Sequence, residues 1–471
     1  MPYFPVVYAA AGSASAGAAA PNNMVEFIPG KLSYCWTQQD LSHRNAASLD
    51  TFYFTIDNMF VYIPFFADFG PLNMSHLYRF ICLLDANLKE AQANGKRVVF
   101  YSSTNADKRA NAAYLISCYM MVLHNQEPED AYRPLVGISP PLMPFRDAGS
   151  GPPTYFLTVM DCLKGLSKSI KVGLFSFSQF DLEQYEKHER VDFGDFNWIT
   201  PKYLAFASPT DNPNAPFPAT AMADYFAHNK VGTVIRLNNK LYDKTVFTRR
   251  GIEHIEMYFP DGSCPTDAVL QRFLDIADVR TAPIAIHCKA GLGRTGSLIG
   301  ASLMKDYYFT ASEVIGFLRI MRPGSVVGPQ QNWLHAKQKE LHGMNALRQA
   351  SASAHQSSQV ASSAWAPAQQ AMVQHHEDML PADFDYAPTP ARVAVVPLQP
   401  RKVHDPNDPL SVSSSASGYH LRSRQAAARA VSSSSAMQAV GKPIAAWESP
   451  ASAPKAISTK RSSTQRGHGH V

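Results

Sequence analysis

The sequence predicts an α/β fold made of two tandem domains followed by a disordered tail. Strand-like and helix-like runs alternate from about residue 25, and the alternation starts again at about residue 200. An acidic segment separates the two runs. From residue 346 onward the chain is rich in Ala, Ser, Gln and Pro, with few large apolar residues. Such a segment cannot bury enough apolar surface to offset its ordering entropy.

These observations divide the 471 residues into five segments. We expect a flexible leader over residues 1–24, a first domain over 25–179, an acidic linker over 180–199, a second domain over 200–345, and a disordered basic tail over 346–471.

The elements of both domains follow from apolar periodicity. In the first domain, residues 52–55 and 97–100 are typical of strands, and residues 77–93 are typical of a helix. In the second domain, residues 203–206 and 233–236 are the corresponding strand-like runs. The acidic segment between the domains suits either a helix or an extended linker.

Charge and cysteine content narrow the class of protein. The chain has 43 Lys and Arg against 38 Asp and Glu, and the tail carries the whole excess, with 12 basic and 7 acidic residues. A basic tail suits nuclear import, weak nucleic-acid contact or a solvated linker. The six cysteines are scattered, which argues against zinc and disulfide frameworks and favours a reducing compartment, cytosolic or nuclear. We expect no spanning helix, because no apolar run is long enough.

The stretch His287–Gly296, HCKAGLGRTG, predicts an anion-binding loop. It follows an apolar strand and enters a helix, so backbone N–H groups and the helix dipole converge on one point. A helix N-terminus and a nearby arginine favour the thiolate form of a cysteine, so Cys288 is the expected nucleophile. Arg294 can direct two N–H groups at two phosphoryl oxygens. The residues expected to line the phosphate are Lys289, Ala290, Gly291, Leu292, Gly293 and Thr295.

Two side chains of this stretch have further expected roles. Thr295 can donate its hydroxyl to the cysteine sulfur and help it leave. His287 is assigned a structural role, because a stable thiolate needs no base. The plainer interpretation, a buried cysteine in a turn, does not account for the whole Cys-x5-Arg-Thr-Gly string.

The expected proton donor is Asp261, within Phe259–Asp267, FPDGSCPTD. Cleavage of a phosphate ester requires a proton for the departing oxygen. Pro and Gly on either side of Asp261 predict a loop that can close over the anion site. An ordinary Asp-Gly turn is the plainer interpretation. Asp267 is the rival acid, although its position suits the first turn of the next helix.

The two domains share a local order of strand, polar loop and helix, over residues 97–122 and 283–308. Aligning the predicted strand ends puts Tyr101 where Cys288 stands and Asp107 at the arginine spacing. A duplication would then leave the first domain with the architecture of the second but without its chemistry.

Three motifs together resemble the Cdc-fourteen family of mitotic-exit dual-specificity phosphatases: HCKAGLGRTG, FPDGSCPTD, and RPGSVVGPQQ over residues 322–331. The first domain adds DKRANAA over 107–113 and PFRDA over 144–148, and the linker adds FDLEQYEKHERVDFGDFNWI. The resemblance covers roughly residues 25–345.

The resemblance implies two tandem dual-specificity-phosphatase-like domains, of which only the second is catalytic, and no metal or other cofactor. It implies a preference for phosphoserine followed by proline and then a basic residue. By position, Glu186, Glu189 and Asp195 would form an acidic groove for that basic residue, although a solvated helix face is the plainer interpretation. Gln330 would lie near the site and position water. Cys264 departs from the family, where threonine is usual.

The implied partners are phosphoproteins modified by proline-directed kinases, without a requirement for nucleic acid or membrane. The implied location is the nucleus and cytoplasm, with spindle pole, centrosome or cilium base as sites known in the family. Thr389 and Ser449 in the tail each precede a proline and are candidate phosphorylation sites. The oligomeric state stays open.

Two other functions remain alternatives. Inositol-lipid phosphatases carry a nearly identical loop but tend to have a second lysine where Leu292 stands, which favours a protein substrate here. A phosphate-binding scaffold without catalysis would not need the nucleophile, the arginine and the acid together.

Overall fold

The computed structural model describes residues 23–363, with side chains as far as residue 346. The strands are β1 Met24–Ile28, β2 Leu32–Trp36, β3 Thr51–Phe54, β4 Arg97–Ser102, β5 Phe196–Trp198, β6 Tyr203–Phe206, β7 Thr233–Arg236, β8 Glu253–Glu256 and β9 Ile284–His287. The helices are α1 Met74–Ala93, α2 Ala106–His124, α3 Pro128–Tyr132, α4 Val159–Lys171, α5 Leu182–Glu189, α6 Ala219–His228, α7 Thr245–Thr248, α8 Asp267–Val279, α9 Gly293–Tyr307, α10 Ala311–Met321 and α11 Pro329–Ser363.

The chain forms two sheets of similar design, one in each domain. The first has the order β1-β2-β4-β3, and the second has the order β5-β6-β9-β7-β8. In each sheet an antiparallel edge strand, β1 or β5, joins a set of parallel strands. The two-domain α/β architecture predicted from the alternating pattern is therefore confirmed.

The strand β9 lies inside the second sheet, between β6 and β7. All four of its residues are buried, as expected for a central parallel strand whose two faces are covered. The carboxyl end of β9 opens directly into the loop that leads to α9. In open α/β sheets this end is where ligands bind.

The two domains pack against each other through α4 and α10. A Cβ on Gly165 would lie 2.1 Å from the carbonyl oxygen of Glu313, and one on Gly316 would lie 2.9 Å from Cα of Cys162. The helices approach this closely because each has a glycine at the crossing. A single cluster of buried apolar side chains extends through both domains.

The first domain repeats the strand, loop and helix order in β4 and α2, but the alignment through Tyr101 is wrong. Ser102 still pairs with Trp36 of β2, so β4 ends two residues later than the predicted strand. The residue after the strand is therefore Ser103, and Arg109 follows it at the spacing that separates Cys288 from Arg294. The Tyr101 hydroxyl instead donates to Asp40.

Of the two structures expected for the acidic segment, the helix is formed over α5, with Asp181 as its N-cap. Helix α11 continues beyond residue 345 to Ser363, through residues rich in Ala and Gln, which are good helix formers. Residues 1–22 and 364–471, including Thr389 and Ser449, lie outside the described residues. Within the described part, no helix has the length and apolarity needed to cross a membrane.

Candidate active site

The loop that joins β9 to α9, here called the phosphate loop, comprises residues Cys288 to Arg294. Every carbonyl oxygen from Cys288 to Leu292 accepts a hydrogen bond from outside this loop. The pairs are Cys288 with His287 Nδ1, Lys289 with the Ser208 N–H, Ala290 and Gly291 with Arg322, and Leu292 with the N–H groups of Gly296 and Val326. A trans peptide directs its N–H opposite to its C=O, so this arrangement turns the loop N–H groups toward the anion position.

Arg322 holds the outer side of the phosphate loop. Its guanidinium donates to the carbonyls of Gly291 and Ala290, each at 2.9 Å. The same group donates to Asn197 at 2.6 Å and to the Asp195 carboxylate at 2.8 Å. Arg322 is 3% exposed, so one buried guanidinium joins the segment between the domains to the phosphate loop.

Position 291 requires glycine for two reasons: its backbone conformation and the lack of room for a side chain. Its φ of +69° is in the left-handed region, and a Cβ would lie 1.9 Å from the carbonyl oxygen of Phe206. The neighbouring Gly293 is less constrained, since a Cβ there would meet the side chain of Gln330 at 2.7 Å.

Cys288 lies at the base of the phosphate loop and is 3% exposed. Arg294, also 3% exposed, donates through Nη1 to the backbone carbonyls of Leu237 and Phe259. These bonds hold one end of the guanidinium against the backbone that follows β7 and β8. The Thr295 hydroxyl is buried and makes no hydrogen bond to any described atom, so the expected bond to the sulfur is not formed in this conformation.

Asp261 reaches the same site from the loop between β8 and α8. Its Oδ1 lies 3.0 Å from Nη2 of Arg294, and its side chain is 71% exposed. The loop is closed by a short turn in which the Ser263 hydroxyl donates to the Pro260 carbonyl. The rival acid, Asp267, instead pairs with Lys337 at 2.7 Å at the start of α8.

Gln330 connects the acid loop to the phosphate loop. Its Nε2 donates to the Ser263 carbonyl at 3.0 Å, its Oε1 accepts the Val327 N–H at 3.0 Å, and it lies against Gly293. The side chain is therefore near the site, as expected. Both of its amide ends are bonded to backbone in this conformation, and its role toward water stays a prediction.

The three predicted groove carboxylates lie together at the domain boundary, but their environments differ. Glu186 accepts from Arg79 through both oxygens, at 2.6 and 2.7 Å, and from Ser75. Asp195 is paired with Arg322. Two of the three charges are thus already compensated by arginines.

Glu189 is the third carboxylate and has no arginine partner of this kind. The amide of Asn73 donates to both of its oxygens, at 3.0 and 2.9 Å, and the Tyr185 hydroxyl, which donates to the Met321 carbonyl at 2.8 Å, lies 3.4 Å from Oε1. Burial outweighs these hydrogen bonds and raises the pKa of Glu189 from 4.5 to about 7. Glu189 therefore changes its charge near neutral pH.

Two residues of the site, Arg79 and Arg322, had no role predicted from the sequence. The RPG segment was a usable signal for Arg322, because it belongs to a motif shared with the family. Arg79 lies in an ordinary helix, and nothing local marks it. In the described residues, no cluster of three His, Cys, Asp or Glu side chains is arranged to hold a metal ion.

Two family profiles match the chain. The profile described as "Dual specificity protein phosphatase, N-terminal half" matches residues 26–169. A second, described as a polymorphic toxin system DSP-PTPase phosphatase, matches residues 211–307. The first match covers most of the first sheet, and the second covers β7, β8 and β9 of the second sheet.

Curated relatives match over most of the described part. The chain is 46% identical over 329 residues to the mouse dual specificity protein phosphatase CDC14A, covering 67% of this chain and 53% of that protein. It is 46% identical over 330 residues to the Schizosaccharomyces pombe tyrosine-protein phosphatase CDC14 homolog, and 42% over 338 residues to the Saccharomyces cerevisiae tyrosine-protein phosphatase CDC14. The chain spans between about half and three fifths of the length of these relatives. The chain belongs to the CDC14 family of dual-specificity phosphatases.

Proposed function

We propose that this chain is a protein phosphatase that hydrolyses phosphoserine, phosphothreonine and phosphotyrosine through a cysteinyl-phosphate intermediate. The observation that carries the proposal is the convergence of Cys288, Arg294 and Asp261 on one loop whose carbonyls are all bonded outward. Two separate parts of the chain, the phosphate loop and the loop between β8 and α8, supply a nucleophile, an anion binder and an acid.

In the first step, the Cys288 thiolate attacks phosphorus, and an S–P bond forms as the P–O bond to the substrate breaks. The loop N–H groups and Arg294 stabilise the equatorial oxygens. Asp261 in its acid form gives its proton to the departing oxygen, which leaves as the hydroxyl of the dephosphorylated side chain.

In the second step, water attacks the phosphocysteine. Asp261, now a carboxylate, takes a proton from that water as the new P–O bond forms. The S–P bond breaks, and inorganic phosphate leaves while the thiolate is regenerated. We assign Gln330 to orienting this water, which requires it to exchange one of its backbone bonds.

For substrate choice, we propose phosphoserine followed by proline and then a basic residue. A Cβ on Gly324 would lie 2.7 Å from the Phe65 ring and 3.3 Å from Leu292, so an apolar surface borders the phosphate loop and suits proline. Since Glu186 and Asp195 are compensated by arginines, Glu189 supplies the remaining charge that attracts the basic residue.

The inositol-lipid alternative is less well supported. A highly charged headgroup needs further cations near the loop, whereas Leu292 packs against Gly324 beside Phe65. A phosphate-binding scaffold is also less well supported, because binding alone does not need Asp261 over the site.

The deciding experiment compares phosphate release from a phosphoserine-proline-x-lysine peptide with release from phosphoinositide vesicles. We expect peptide turnover by the wild-type chain and binding without turnover by Cys288→Ser. Preference for the lipid would overturn the substrate class, and turnover by Cys288→Ser would remove Cys288 from the mechanism. Glu189→Gln should narrow the difference between lysine and alanine peptides.

The cellular setting follows from this substrate class and from the family. We propose phosphoproteins made by proline-directed, cyclin-dependent kinases as the partners, and cell division as the setting. The proposed location is the nucleus and cytoplasm, including the spindle pole, centrosome or cilium base. Imaging a fluorescent fusion through the cell cycle tests the location.

A further inference from the structure

Behind the phosphate loop, a chain of hydrogen bonds connects three aromatic side chains to the backbone of the nucleophile. The hydroxyl of Tyr242 lies 2.8 Å from Nε2 of His254 and 2.8 Å from Nε2 of His287. Nδ1 of His287 lies 3.1 Å from the carbonyl oxygen of Cys288. We call this set, His254, Tyr242 and His287, the tyrosine relay. The two chemical steps proposed above give no role to Tyr242 or His254, and they use His287 only as a hydrogen-bond donor to the loop backbone.

The direction of each hydrogen bond in the relay follows from the carbonyl at its end. A carbonyl only accepts, so Nδ1 of His287 carries a proton. In neutral His287, Nε2 then has the lone pair and accepts the proton of the Tyr242 hydroxyl. That leaves the Tyr242 oxygen to accept from Nε2–H of His254. The donors therefore run in one direction, from His254 to the Cys288 carbonyl.

The surroundings of Tyr242 and His254 stabilise the protonation states that this direction requires. Tyr242 is 1% exposed and His287 is fully buried. Burial raises the pKa of Tyr242, so its hydroxyl keeps its proton. Burial lowers the pKa of His254 to about 4, so this imidazole is neutral at pH 7, although Glu256 lies 3.5 Å from its Nδ1.

The tyrosine ring is also held in place. Arg236 donates to the Tyr242 carbonyl at 2.9 Å, and its guanidinium lies 4.6 Å from the centre of the ring. Arg236 is itself anchored by Glu256 through both carboxylate oxygens. The hydroxyl therefore presents a donor to His287 from a rigid support.

We propose that Tyr242 is a positioning residue for the nucleophile: by donating to Nε2, it stabilises the tautomer of His287 that holds the Cys288 carbonyl away from the bound phosphate. This inference rests on the proposed function. Without the hydroxyl, His287 can adopt the other tautomer, whose Nδ1 lone pair faces the carbonyl oxygen and repels it. The peptide between Cys288 and Lys289 then loses its support, and the Lys289 N–H no longer points steadily at the anion.

The test compares Tyr242→Phe with Tyr203→Phe. Tyr203 is equally buried and donates or accepts one short hydrogen bond with Ser302, 2.6 Å long, but it does not touch the phosphate loop. Both variants lose one buried hydroxyl, so both should lose similar stability. Only Tyr242→Phe should change the site.

Two measurements distinguish a positioning role of Tyr242 from an effect on stability alone. For Tyr242→Phe, kcat on an aryl phosphate should fall about fivefold with little change in KM, the effect of losing one hydrogen bond. The pH midpoint for alkylation of Cys288 by iodoacetamide should rise by about half a unit. Tyr203→Phe should match the wild type in both. Equal values for the two variants would overturn the proposal.

A second pair of variants covers the case in which Tyr242→Phe does not fold. His254→Phe removes the donor to Tyr242, whereas His254→Gln keeps an N–H near the position of Nε2. We expect kcat about twofold lower for His254→Phe, with the wild-type value restored by His254→Gln. Identical kcat values for both would overturn the relay.

The alkylation measurement also distinguishes this proposal from the proposed function. Iodoacetamide reports the thiolate whether or not the chain turns over phosphate. A wild-type chain without phosphatase activity would refute the proposed function and still allow the tyrosine relay to be tested.

Discussion

Arg294, the proposed phosphate-binding residue, and Asp261, the proposed proton donor, form an ion pair of 3.0 Å. The arginine side chain is 3% exposed and the aspartate side chain is 71% exposed, so the pair joins an exposed residue of the loop before α8 to a buried residue of the phosphate loop. An arriving phosphate dianion competes for the same N–H groups. In the proposed mechanism, substrate binding would therefore release Asp261 from Arg294 and free its carboxyl group to act as the acid.

The first prediction concerns this proton donor. Asp261→Asn should lower kcat on a phosphoserine peptide by about 10²–10⁴-fold, because an alkoxide leaves poorly without a proton. On p-nitrophenyl phosphate, whose phenolate leaves readily, the loss should be far smaller. Steady-state kinetics with both substrates measure the difference.

The control for Asp261→Asn is Asp267→Asn. Asp267 pairs with Lys337 at the surface and should tolerate the change with activity within about twofold, since surface ion pairs contribute little. Equal losses of Asp261→Asn on both substrates would contradict the acid role.

The second prediction compares two glycines of the phosphate loop. Gly291→Ala places a Cβ 1.9 Å from a backbone carbonyl oxygen at φ +69°, and neither can adjust cheaply. We expect a loss of stability of about 1–3 kcal/mol and at least about a hundredfold lower kcat/KM. Melting temperature and kinetics measure both effects.

Gly293→Ala is the matched variant. Its Cβ meets the Gln330 amide, a side chain that can move, so the fold should tolerate it. Activity should fall by about tenfold or less, because displaced Gln330 releases Ser263 and loosens the acid loop. Indistinguishable behaviour of the two alanine variants would show that the close approach of Gly291 to Phe206 is unimportant.

The third prediction concerns the pH dependence of stability. The pKa of Glu189 is raised from 4.5 to about 7 in the folded state, so the folded protein binds more protons than the unfolded chain between these values. The contribution of Glu189 to stability is therefore complete below pH 4.5 and is lost as pH rises through 7. The loss is at most about 3 kcal/mol.

Urea unfolding of the wild type and Glu189→Gln at pH 5 and pH 8 measures this effect. On going from pH 5 to pH 8, the urea midpoint of the wild type should fall more, or rise less, than the midpoint of Glu189→Gln. His76, whose pKa burial lowers to about 4, contributes equally to both proteins and cancels in the comparison. An identical pH response of the two proteins would refute the assignment.

The helices and strands and the Cys-x5-Arg-Thr-Gly motif could be predicted from the sequence because they depend on local patterns. The strand at 203–206 and the helix at 77–93 follow from apolar periodicity, and both are confirmed within one turn. The Tyr101 alignment failed for the opposite reason. The end of β4 is set by the pairing of Ser102 with β2, and the sequence contains no local pattern that shows how far two strands pair.

By itself, the sequence determined the type of chemistry: a cysteine and an arginine six residues apart on a loop between a strand and a helix, with an aspartate upstream. Only the tertiary structure decided how that chemistry is supported. Three residues come from distant parts of the chain: Arg322 bonds to the loop carbonyls, Arg79 pairs with Glu186, and Tyr242 bonds to His287 behind the loop. Hydrogen bonds and ion pairs act over a few ångströms in space, and that proximity is created by the packing of strands, helices and loops rather than by spacing along the chain.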